Sequence, residues 1–139
     1  MKKMVWIVDD DAEMRQASHL MFKLLGYDLR EFADGRDVTR ALLGGDSPDL
    51  LFLDINMPEV SGLDILQFIR SRTNWKKMPI LIMSSDSEEA RVEQTMRMGA
   101  DGYVFKPVSL EELESAIGTA IEKRRLIYEG KTGPLVEIP

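Results

Sequence analysis

Residues 50–54 read Leu50-Leu51-Phe52-Leu53-Asp54, four apolar residues in succession and then an acid. A run this short and this apolar is the signature of a strand covered on both faces, as in a parallel sheet between layers of helix. Two more runs share the pattern: Met4-Val5-Trp6-Ile7-Val8, followed by Asp9-Asp10-Asp11, and Ile80-Leu81-Ile82-Met83, followed by Ser84-Ser85. The shorter stretch Gly102 to Phe105 runs into Lys106-Pro107, and Tyr27 to Phe32 is a more polar strand.

Helical spacing fills the gaps between these runs. Ala12 to Leu25 places Met14, Ala17, Met21, Leu24 and Leu25 at helical intervals, and Gly26 closes the helix. Arg36 to Leu43 forms a second helix, stopped by Gly44-Gly45, and Leu63 to Arg72 a third after Pro58 and Gly62. Ser87 is the expected cap of a fourth helix ending at Gly99. Ser109 and Glu112 form a capping box for a fifth, which runs to about Leu126. The order is strand-helix repeated five times. That predicts an α/β fold, a doubly wound five-stranded parallel sheet with right-handed crossovers.

The 139 residues make one domain, expected over 1–127, with 128–139 as a C-terminal tail or truncated linker. A net charge of −6 and a pI near 4.9 argue against direct nucleic-acid binding or a membrane-surface role. The apolar run after the start is only five residues, too short for a signal-peptide core. There is no cysteine, which suits a reducing cytoplasm.

The chemistry gathers at the strand ends. In an open doubly wound sheet, ligands bind beyond the carboxyl ends of the strands, where the winding reverses. In strand order 2-1-3-4-5 that point lies between strands one and three, so Asp9, Asp10 and Asp54 converge there. Two like charges about 4 Å apart repel by roughly 4 kcal/mol at an effective dielectric of about 20, so a cation is required. With only hard oxygen donors present, that cation is Mg²⁺, with Mn²⁺ as the alternative. Lys106 adds a positive charge and Ser84 a hydroxyl. A carboxylate nucleophile, a divalent cation, a lysine and a hydroxyl make up the parts needed for phosphoryl transfer to Asp54. Asp10 with Glu13 also fits a capping box, which leaves open which of Asp9, Asp10 and Asp11 caps the first helix.

At these residues the chain resembles the response-regulator receiver domains of bacterial two-component systems, chemotaxis regulators among them. The resemblance runs from about residue 4 to residue 126. It rests on Val8-Asp9-Asp10, Leu53-Asp54-Ile55-Asn56-Met57-Pro58 with Gly62, Met83-Ser84-Ser85, and Gly99-Ala100-Asp101-Gly102-Tyr103 leading to Lys106-Pro107. It implies a flavodoxin-like (βα)5 fold and a phosphorelay switch that takes a phosphoryl group from a sensor histidine kinase or phosphotransfer protein. Asp54 is then the phosphoacceptor. Asp9, Asp10, Asp54 and the backbone carbonyl of Asn56 hold the metal, while Lys106 and Ser84 bind the phosphoryl group.

The resemblance further implies that Ser84 and Tyr103 carry the switch, that the Lys106-Pro107 bond is cis, and that Asp86 tunes the phosphoryl lifetime. The output face is the surface of the fourth helix, fifth strand and fifth helix, with a phosphorylation-dependent homodimer as a further partner. Self-catalysed phosphorylation and dephosphorylation would be its only chemistry. Two rivals stand beside it. A haloacid-dehalogenase-type phosphatase looks for a second Asp two residues after its nucleophile, where this chain has Asn56. A flavin- or nucleotide-binding module wants glycines or hydroxyls after strand one, where this chain has three acids. His19, Trp6 and Trp75 read as structural, and Lys123-Arg124-Arg125 as a complement to the dipole of the fifth helix.

Overall fold

The computed structural model describes residues 2–130. Its strands are β1 (Met4–Val8), β2 (Asp28–Phe32), β3 (Leu50–Asp54), β4 (Ile80–Ser84) and β5 (Gly102–Phe105). Between and after them lie α1 (Ala12–Leu24), α2 (Gly35–Leu43), α3 (Gly62–Arg70), α4 (Glu89–Arg97) and α5 (Leu110–Tyr128). The five strands form one parallel sheet in the order β2-β1-β3-β4-β5, as expected.

Strand alternation divides the core in two. Trp6, Val8, Leu51, Leu53, Ile80 and Ile82 point to the face covered by α2 and α3 through Val38, Leu42, Ile65, Leu66 and Ile69. Val5, Ile7, Leu50, Phe52, Leu81 and Met83 point to the other face, covered by Phe22 of α1 and Leu113 and Ile117 of α5. β3 and β4 are buried along their whole length, whereas β2 leaves Arg30 and Glu31 exposed. This is why β2 reads as polar: it is the edge.

Gly62 has a steric reason. A Cβ there would lie 2.4 Å from the backbone oxygen of Asp54, so only glycine lets α3 start against the end of β3. Gly26, at φ +92°, ends α1 as its spacing suggested.

Of the three acids left open as the cap of α1, Asp11 takes the place, accepting from the amides of Glu13 and Met14. Three local expectations need correction. Ser87 does not cap α4. The cap position is Glu88, and the carboxylate of Asp86 takes the Glu88 amide instead. α5 runs to Tyr128, two residues past its expected end, and 131–139 of the expected tail lie outside the described residues.

Arg124 is the third correction. It is buried rather than simply placed at a helix end, and it contacts Asp101 at 2.8 Å, sharing that carboxylate with Arg70. Trp6 belongs to the core and Trp75 packs on Phe68, while His19 meets Glu31 at the surface.

Candidate functional site

The ends of four strands bring the acids, the lysine and the hydroxyl together. At the end of β1, Asp9 is fully buried, and its amide donates to the carbonyl of Phe32 on β2. Its Oδ1 accepts the Asp11 amide at 2.9 Å, while its Oδ2 has no hydrogen-bond partner. Asp10 follows and is exposed. At the end of β3, Asp54 is 2% exposed, and its Oδ1 accepts the Asn56 amide at 3.2 Å. One carboxylate oxygen from each of Asp9, Asp10 and Asp54 lies within 4.8 Å of the others.

Lys106 follows β5 and reaches back over this group. Its Nζ is 3.3 Å from Oδ1 of Asp54 and 3.8 Å from Oδ2 of Asp9. Its amide donates to the Ser84 carbonyl, and the Lys106-Pro107 bond is cis.

One lysine does not neutralise three carboxylates. Burial, together with the neighbouring Asp54, pushes the Asp9 carboxyl up to about 6, against the lowering effects of the Asp11 amide and Lys106. An orphaned, buried carboxylate oxygen beside two more carboxylates is a fit for a hard divalent cation. Among the described residues no nitrogen or sulfur donor joins the set.

Ser84, at the end of β4, is fully buried. Its Oγ accepts the side-chain amide of Asn56 at 3.1 Å and the backbone amide of Asp86 at 3.0 Å. The Tyr103 hydroxyl donates to the Asp86 carbonyl at 2.8 Å. Both backbone groups of Asp86 are therefore tied, one to Ser84 and one to Tyr103. Its carboxylate is engaged as well, by the Glu88 amide and by Arg91 at 3.6 Å.

One residue at the site escaped the sequence reading. Arg15, in the first turns of α1, donates from Nη1 to the main-chain carbonyl of Asp9 at 2.8 Å. A clue was present: a cation near a helix N-terminus opposes the macrodipole, so its placement asks for another partner. Glu59, in the loop after β3, has a positive φ of 62° and pairs with Arg36. No pattern in the sequence marks it.

Residues 5–118 match the family model for the response regulator receiver domain. The chain is 32% identical to chemotaxis protein CheY1 of Helicobacter pylori over 118 residues, covering 81% of this chain and 95% of that protein. It is 31% identical to protein RcaC of Microchaete diplosiphon over 121 residues, covering 87% of this chain and 18% of that protein. The chain spans half or less of the length of several such relatives. Among solved structures it resembles chemotaxis response regulator CheY4 of Vibrio cholerae, with a TM-score of 0.78 at 26% identity, covering 86% of this chain and 99% of that one.

Proposed function

This chain belongs to the response regulator receiver domain family, and from that premise we propose that it works as a phosphoacceptor switch with Asp54 as the acceptor. The observation that carries this reading is the meeting of Asp9, Asp10, Asp54 and Lys106 at the strand ends. The incoming phosphoryl group would bond to a carboxylate oxygen of Asp54, and the donor's leaving group would depart on the opposite side. Lys106, already 3.3 Å from Asp54, would shift its charge to the new phosphoryl oxygens.

Asp9, Asp10, Asp54 and the Asn56 carbonyl would hold Mg²⁺, or Mn²⁺ in its place. Such an ion neutralises charge that three carboxylates would otherwise turn against a phosphate.

The signal would leave by Ser84. When its hydroxyl turns to the phosphoryl group, its hold on the Asp86 amide changes, and with it the loop that Tyr103 grips through the Asp86 carbonyl. That route leads to the surface of α4, β5 and α5, the proposed output face and the proposed contact for a phosphorylation-dependent homodimer. Moving such a switch from mostly off to mostly on needs roughly 5 kcal/mol of differential stabilisation, within reach of a dianion clamped by a lysine and a metal. Asp86, two residues past the switch hydroxyl, is proposed to set the phosphoryl lifetime. Its carboxylate would reach the site only by leaving Glu88 and Arg91.

A sensor histidine kinase or a phosphotransfer protein is the proposed donor, and the cytoplasm the proposed compartment. Among the described residues no helix is long and apolar enough to cross a membrane. Residues 1–127 are the proposed receiver unit. The phosphatase rival is disfavoured by Asn56, whose side-chain amide donates to Ser84 and cannot act as a general acid. A steady-state assay with a chromogenic phosphomonoester and Mg²⁺ tests the choice. The switch reading expects no multiple turnover, and sustained turnover overturns it.

A further inference from the structure

The carbonyl of Asp9, the first residue after β1, belongs to the peptide joining Asp9 to Asp10, so whatever fixes that peptide sets the relation of the two acids. Arg15 does this from α1, with its guanidinium 2.8 Å from the carbonyl oxygen. The guanidinium is itself held: Nε lies 3.3 Å from Oε1 of Glu31, whose other oxygen meets His19 Nδ1 at 2.7 Å. Glu31 sits on β2 directly across from Ile7 in the ladder, so the brace ties the edge strand to the end of β1.

Every other polar group of Asp9 except Oδ2 is committed. Its amide goes to Phe32, its Oδ1 to the Asp11 amide and its carbonyl to Arg15. Arg15 stands four residues past the cap Asp11, where the helix dipole disfavours a cation.

We propose that Arg15 is a positioning residue for the acidic site. It locks the Asp9–Asp10 peptide so that Oδ2 of Asp9 and the Asp10 carboxylate are aimed at one cation before the cation arrives, with Glu31 orienting the guanidinium. The inference rests on the reading of this cluster as a divalent-cation site. A brace behind the liganding residues typically changes metal affinity by about 10- to 100-fold when removed.

Calorimetric titration with Mg²⁺ tests it on the wild type, Arg15→Met, Arg15→Lys and Glu31→Ala, with urea midpoints taken in EDTA. Arg15→Met is expected to bind roughly tenfold more weakly. Glu31→Ala should weaken binding by a smaller factor, and Arg15→Lys should recover part of the loss, since an ammonium can still donate to the carbonyl. The urea midpoints should shift little. Wild-type binding with Arg15→Met inside twofold of it overturns the inference alone. A wild type that takes up no Mg²⁺ overturns the cation reading as well. If Arg15→Met fails to fold, the exposed Glu31→Ala decides: unchanged affinity there overturns the proposal.

Discussion

Lys106 and Asp54 form an ion pair of 3.3 Å although they stand at the ends of strands separated by β4. The same ammonium is the one cation within 4 Å of the Asp9 carboxylate among the described residues. Lys106→Met therefore strands two buried carboxylates. Removing one partner of a fully buried pair costs roughly 3–5 kcal/mol. With the ammonium 19% exposed, the expected loss in EDTA is about 2 kcal/mol by urea unfolding. Saturating Mg²⁺ should return part of it. A midpoint unmoved in EDTA would contradict this.

Asp9 gives the metal-free protein a pH dependence. Its carboxyl is raised to about 6 by burial, against about 3.9 for an unfolded chain. Unfolding therefore releases a proton between about pH 4 and 6, and this group's contribution is full below pH 4 and lost as pH rises through 6. Asp34, held down to about 2 by Arg36, acts with the opposite sign but below that window. The unfolding free energy of the wild type minus that of Asp9→Asn should fall from pH 4 to 7 in EDTA. A constant difference would show that Asp9 is not a raised acid.

Ser84→Ala removes the acceptor for two amides, those of Asn56 and Asp86. The expected stability loss is about 1 kcal/mol. The larger effect should be on signalling. Phosphoryl uptake persists, while hydrogen exchange across residues 85–89 no longer changes with phosphorylation. A loop that responds as in the wild type would remove Ser84 from the switch.

Asp101 is fully buried between Arg70 and Arg124 and also accepts the Ile80 amide at 2.8 Å. Asp101→Asn leaves two largely buried guanidiniums without their counter-charge and should cost about 3–5 kcal/mol. Phosphoryl incorporation per folded molecule should stay the same. Equal stability with altered incorporation would mean the cluster serves the site rather than the fold.

What the sequence revealed follows from the range of the forces involved. Buried strands announce themselves through unbroken apolar runs, so β3 and β4 and the acids or hydroxyls that end them could be read directly. With strand order known, Asp9, Asp10, Asp54, Ser84 and Lys106 fell into one place. Local ambiguities were harder, because Asp10, Asp11 and Ser87 all have side chains suited to caps. Only backbone geometry shows that Asp11 and Asp86 take those amides. Long-range pairing was not legible. Arg124 finds Asp101 across 23 residues, and Arg15 finds a backbone carbonyl, which has no sequence signature.

The most direct test of the account asks where the phosphoryl group goes. Protein incubated with acetyl phosphate and Mg²⁺ is digested and its peptides are read by mass spectrometry. The expected result is one phosphoryl group, on the peptide containing Asp54, absent from Asp54→Asn and absent in EDTA. Undiminished labelling in Asp54→Asn, or label on another residue of the wild type, would contradict it.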